Sequence, residues 1–64
     1  MDSVQKARLR FRAATLRRKA AHMDKAISDY ERAGRVDKAA TVRSMAAENR
    51  AEADLLEAQA EAIK

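Results

Sequence analysis

Residues 30–39 read YERAGRVDKA and contain Gly34, the only glycine in a chain of 64 residues that has no proline. Glycine readily adopts the positive φ that ends an α-helix. Asp37 suits the start of the next helix, because its charge complements the helix dipole. We therefore expect one helix to end before Gly34 and a second to begin just after Arg35.

Apolar residues on both sides of Gly34 recur at alternating steps of three and four, the spacing of a coiled-coil seam. The two series are Leu9, Ala13, Leu16, Ala20, Met23, Ile27, Tyr30 and Ala39, Val42, Ala46, Asn49, Ala53, Leu56, Ala60, Ile63. They are out of phase by five residues, which neither a four-residue nor a three-residue insertion in one continuous helix explains. The phase break favours a turn.

The sequence thus predicts an all-α fold, an antiparallel two-helix hairpin with a coiled-coil-like, alanine-rich seam. The predicted boundaries are helix 3–33, turn 34–35 and helix 36–63, within a single domain covering 1–64. Asp2 or Ser3 is the expected N-cap, with Gln5 completing a capping box.

Position numbers that sum to 69 face one another in this hairpin, which places Leu16 opposite Ala53 and Met23 opposite Ala46. A large side chain then meets an alanine in nearly every layer, so the helices can approach closely. Asn49 is the polar exception and is expected to fix the register. Charges beside the seam agree: three flanking pairs attract and one repels, in the order Arg10–Glu57, Lys19–Glu52, Asp24–Arg43 and Arg17–Arg50.

A second apolar stripe lies off the seam, towards the end where the two termini meet, and it includes the only phenylalanine. Single apolar residues on a surface need no explanation, but a contiguous stripe with an aromatic anchor is typical of an interface. We expect the contacts with a partner to be made by Val4, Phe11, Ala51, Leu55 and Ala58.

Association is the expected source of additional stability, because one core rarely suffices for 64 residues and there is no cysteine for a disulfide. One solution is a two-fold homodimer that forms a four-helix bundle. The other is a groove or helix on a larger protein, and the sequence leaves both open.

No residue pattern indicates catalysis, a metal site or a cofactor site. His22 is the only imidazole, and glycine-rich phosphate loops and dinucleotide fingerprints are absent. The chain also lacks an N-terminal apolar run long enough for a signal peptide or membrane span. We expect a non-enzymatic, cytoplasmic protein without cofactor or membrane contact, and its alanine and arginine usage suggests a GC-rich bacterium or its phage.

The first half of the chain is basic: residues 1–34 carry nine basic and four acidic side chains, whereas residues 35–64 carry five and six. Four cations remain on the outer face of the first helix after pairing across the hairpin, and they are candidate phosphate contacts: Arg8, Arg18, Lys25 and Arg32. A solvated charged face is the simpler interpretation of the same residues.

The segment 29–42, DYERAGRVDKAATV, resembles the turn between the helices of a tetratricopeptide repeat. Both predicted helices are about twice as long as such repeats allow, so we interpret the segment as a general αα-hairpin turn. In length and in its alternation of small and large layers, the chain is similar to the Rop family of plasmid regulators, dimeric helical hairpins that bind paired RNA loops. This similarity is one of architecture, without a shared motif.

Two functions follow as hypotheses. The first is a small protein–protein interaction module, a dimeric adaptor, regulator or inhibitor that acts through its helix faces. The alternative, implied by the Rop resemblance and the basic first helix, is a hairpin dimer that binds RNA or DNA.

Overall fold

The computed structural model describes residues 2–63, which form two α-helices, α1 (Asp2–Arg32) and α2 (Val36–Glu61). The helices pack against each other along their lengths as a hairpin 49 Å long and 13 by 10 Å across. Compared with the predicted boundaries, α1 begins and ends one residue earlier, and α2 ends two residues earlier. Asp2 and Ser3 therefore lie inside α1, and its N-cap falls outside the described residues.

The chain reverses direction at Gly34, whose φ is +74° as the sequence predicted. The Arg35 N–H donates to the Tyr30 carbonyl at 2.8 Å, and the Gly34 N–H donates to the Glu31 carbonyl at 3.1 Å. These two bonds form a Schellman motif, which satisfies carbonyls at the end of α1. The Arg35 carbonyl then accepts from the Ala39 N–H at 3.0 Å, which starts α2.

The core consists of residues from the two predicted seams. Those that are buried are Ala13, Ala20, Ile27, Ala39, Ala46, Ala53, Leu56 and Ala60. They form two clusters, one near the turn and one nearer the termini, and predicted partners such as Leu16 and Ala53 belong to the same cluster. Asn49 is half-buried on the seam between the clusters, with Nδ2 3.8 Å from the Met23 Sδ.

Ion pairs join the helices along one side of the seam, which we call the ladder flank. If seam residues occupy heptad positions a and d, the three stacked pairs all use position e. They are Arg17–Glu57, Asp24–Arg50 and Glu31–Arg43, with Asp54 as a further partner of Arg17. The predicted pairs Arg10–Glu57, Lys19–Glu52 and Asp24–Arg43 do not form within residues 2–63, so that part of the prediction was wrong.

The observed ladder is displaced by one heptad from the predicted one because of the direction in which helical side chains lean. Each side chain leans towards the N-terminus of its own helix. Since α1 and α2 are antiparallel, side chains on α1 lean towards the chain termini and those on α2 lean towards the turn. Arg17 and Glu57 therefore converge, whereas Arg17 and Arg50 lean apart and each binds an acid instead.

The core is thin for a chain of this mass. Six of the eight buried residues are alanines, and no large side chain of residues 2–63 is fully buried. The accessible surface is 4793 Å², whereas a compact protein of 7.1 kDa exposes about 4,100 Å². Within the described range, neither helix is apolar enough over a sufficient length to cross a bilayer.

Candidate functional site

Large apolar side chains are exposed on both helices near the chain termini. Val4 is 54% exposed, Phe11 is 67% exposed and Leu55 is 59% exposed. The neighbouring Ala51 and Ala58 are exposed as well. These five are the residues for which the sequence predicted an interface.

The five residues do not share one surface. Phe11 lies two residues from each of the seam residues Leu9 and Ala13. At roughly 100° per residue, it therefore points away from the seam. Val4 lies one heptad before Phe11 and points the same way. Ala51 and Ala58 occupy the same outermost position on α2, which puts them on the opposite side of the hairpin from Phe11. Leu55 lies between that outer side and the seam. The predicted stripe therefore comprises two surfaces, one on each helix.

The flank opposite the ladder, which we call the groove flank, carries heptad positions g and c of both helices. A shallow groove there is lined by Phe11, Arg12, Thr15, Leu16, Lys19 and Glu52. A second depression, which also includes Phe11, continues along α1 towards Ser3. Phe11 thus lies at the edge of the groove flank, with Arg12 and Lys19 beside it.

Four charged side chains of the groove flank form no ion pair within residues 2–63. Lys19 and Glu52 line the same groove, yet they form no ion pair among residues 2–63. Arg12 and Glu48 likewise have no ion-pair partner in that range, and all four side chains are exposed. Most charges of the ladder flank are therefore paired within one chain, whereas Arg12, Lys19, Glu48 and Glu52 on the groove flank are not.

Two of the four candidate phosphate contacts share an acidic partner on their own helix. Asp29 lies 3.6 Å from the Lys25 Nζ and 3.2 Å from the Arg32 Nη2. The sequence carried this signal, because residues three and four apart are neighbours on a helix surface. Arg18 donates to the Thr15 hydroxyl at 3.4 Å. Asp29 thus offsets the cationic charge at the turn end of α1.

The unpaired basic charge is concentrated instead in the first half of α1. The basic side chains up to residue 19 that form no ion pair within residues 2–63 are Lys6, Arg8, Arg10, Arg12, Arg18 and Lys19. The sequence had assigned Arg10 and Lys19 to acids across the hairpin, which removed them from the candidate set. Phe11 lies within this basic segment, so the most exposed aromatic ring and the unpaired cations occupy the same part of the helix.

One ion pair on the ladder flank shifts the pKa values of both of its partners. Hydrogen bonds from the Arg17 guanidinium lower the pKa of the Glu57 carboxyl, and the same bonds raise the pKa of Arg17. Both side chains are solvent-accessible. His22 is exposed on α1, and residues 2–63 contain no group of three or more side chains that could hold a metal ion.

Comparison with known proteins found no family model, no curated protein and no solved structure that matches this chain. Its function is therefore inferred from its own residues and geometry.

Proposed function

We propose that this chain is a small, non-enzymatic protein–protein interaction module whose hairpin dimerises into a four-helix bundle. In this role it acts as an adaptor, regulator or inhibitor through its helix faces. The observation that carries the proposal is the contrast between a seam filled mostly by alanines and the large apolar side chains left exposed, among them Phe11, Met45 and Leu55.

The energetic argument starts from how little one hairpin buries. Alanine contributes little apolar area, so the six buried alanines stabilise the fold less than larger residues would. Full burial of a Phe, Met or Leu side chain is worth about 1.5–3 kcal/mol. Covering Phe11 and Leu55 with a second hairpin thus adds a substantial fraction of the stability of a domain this small.

The test is the oligomeric state of the wild-type chain and of two surface variants, measured by sedimentation equilibrium over a range of concentrations. Phe11→Ser should shift the equilibrium to monomer. Val36→Ser is the matched control, since Val36 is 74% exposed but lies at the turn end of the hairpin. A wild-type chain that stays monomeric at every concentration contradicts the homodimer. A Phe11→Ser variant that dimerises like wild type contradicts the placing of Phe11 in its interface.

The second candidate function is binding of single-stranded RNA or DNA, and the basic segment around Phe11 favours it. Unpaired cations beside an exposed aromatic ring suit a strand whose phosphates they contact and whose bases stack on the ring. This surface differs from the one predicted from the sequence, because Lys25 and Arg32 share Asp29.

A mobility-shift assay with short RNA and DNA strands tests the second candidate. Affinity should fall steeply with salt, and Arg12→Ala with Lys19→Ala should weaken binding more than Lys25→Ala with Arg32→Ala. The two double variants remove the same charge, so equal losses would place the binding surface elsewhere. Absence of any complex at low salt would exclude this function.

A further inference from the structure

The two helices carry opposite charge along the groove flank. From Arg8 to Lys19, the charged g and c positions of this flank on α1 are basic, with Arg8, Arg12 and Lys19, whereas Asp29 occupies position c near the turn. On α2 the charged g and c positions away from the turn are acidic, with Glu48 and Glu52, whereas Lys38 occupies position g near the turn. The flank therefore presents a basic strip and an acidic strip side by side, separated by the width of the seam, and we keep these two names below.

We infer that a second copy of the chain covers the groove flank, with α1 of each copy lying on α2 of the other about a two-fold axis parallel to the helices. The inference rests on the proposed homodimer and adds which faces meet and in what orientation.

Symmetry decides between the two ways in which the flanks can stack. A two-fold axis parallel to the helices places α1 of one copy on α2 of the other. Each basic strip therefore lies on the acidic strip of the second copy. A two-fold axis running across the helices, parallel to the plane of the hairpin, places α1 on α1 and α2 on α2 with the termini at opposite ends, so neither strip meets the strip of opposite charge. Like charges held together in an interface cost free energy and opposite charges favour the encounter, so the parallel axis is preferred.

The apolar residues agree with the same orientation. Phe11 borders the basic strip and Leu55 belongs to the α2 side of the flank, and both are near the chain termini. An axis parallel to the helices keeps the termini of both copies at one end. It therefore brings Phe11 of one copy towards Leu55 of the other, whereas the transverse axis puts them at opposite ends of the bundle.

The ladder flank is the less suitable face for a second copy. Most of its charges, Arg10 and Glu61 excepted, are already joined within one chain through Arg17–Glu57, Asp24–Arg50 and Glu31–Arg43. Covering them would desolvate satisfied pairs without adding opposite charges. The groove flank offers unpaired charges of both signs, which is the condition for a self-complementary interface.

Reciprocal charge reversal tests the orientation. One variant, Arg12→Glu with Lys19→Glu, gives both strips a net negative charge, although Arg8 remains. The other, Glu48→Lys with Glu52→Lys, gives both strips a net positive charge. Each variant alone should be monomeric at a concentration where the wild-type chain is dimeric. An equimolar mixture should form a heterodimer, because every contact between strips is then attractive. The control is Arg10→Glu with Arg35→Glu, which changes the net charge equally away from the groove flank and should dimerise like wild type.

The outcomes separate this inference from the proposed function. A wild-type chain that never dimerises overturns both. If the wild-type chain dimerises and each charge-reversed variant also dimerises by itself, only the orientation is overturned. A wild-type dimer whose affinity rises with salt concentration overturns the orientation as well. Circular dichroism checks that each variant is helical. If a double variant is unfolded, Arg12→Glu and Glu48→Lys are mixed as single variants, with the same expected results.

Discussion

The Arg17 guanidinium binds the Glu57 carboxylate through two hydrogen bonds, from Nε to Oε2 at 3.1 Å and from Nη2 to Oε1 at 2.5 Å. A third bond of 2.6 Å joins Nη2 to Asp54. The contact links residues 40 positions apart and ties the middle of α1 to α2. This ion pair lowers the pKa of Glu57 and raises the pKa of Arg17.

The Glu57 carboxylate should make the stability of the hairpin depend on pH. Because hydrogen bonds from Arg17 lower its pKa, the pair stabilises the fold above the ordinary glutamate pKa of about 4.3, and this contribution is lost as the pH falls through the lower folded-state pKa. We expect Glu57→Gln to lower the melting temperature slightly at neutral pH and to reduce its decline below pH 4.3. Circular dichroism melts at fixed protein concentration measure this, with Glu61→Gln as the control, since Glu61 is exposed and outside the groove flank. Identical pH profiles for wild type and Glu57→Gln contradict the prediction.

The turn should be sensitive to any side chain at Gly34. Its φ of +74° is a left-handed conformation, although no atom lies within 4 Å of the position a Cβ would occupy. The cost of Gly34→Ala is therefore conformational and amounts to roughly 1–2 kcal/mol of unfolding free energy. Gly34→Asn should cost less, since asparagine tolerates this conformation. Urea unfolding of both variants checks the order of their unfolding free energies. An alanine variant as stable as wild type would show that residue 34 does not need the positive φ.

Neighbouring alanines on α2 should respond differently to enlargement. Ala53 is fully buried in the seam, so Ala53→Leu forces the helices apart and costs about 1–3 kcal/mol. Ala51 is exposed on the outer side of the same helix, so Ala51→Leu should change stability by less than about 0.5 kcal/mol. The two variants have identical composition, so equal melting temperatures would place the seam elsewhere.

Replacing Asn49 should raise stability. Its amide is half-buried, and the Met23 thioether at 3.8 Å is a weak acceptor. Asn49→Leu fills the gap between the two core clusters and should raise the melting temperature, while removing the polar residue that fixes the helix register. Cross-linking of cysteines introduced at Leu9 and Ala60 would report the register. A lower melting temperature in Asn49→Leu would show that the amide stabilises the fold.

Much of the fold could be predicted because the determining features are local. The alternating three- and four-residue spacing identifies the buried residues from Ala13 to Ala60, and Gly34 identifies the position of positive φ. The ion pairs could not be derived in the same way. Arg17 has acidic and basic residues within reach on α2, and the choice of Glu57 depends on the opposite lean of side chains on antiparallel helices.

The candidate site was predictable only in part for a related reason. A list of exposed apolar residues names Phe11 and Ala51 together, but only the assembled hairpin shows that they face opposite sides. The sequence by itself determined two helices, the seam and the turn, since helical periodicity and glycine geometry act over a few residues. Only the tertiary structure decided which flank satisfies its charges and which leaves them unpaired, because that depends on how the side chains of two antiparallel helices meet.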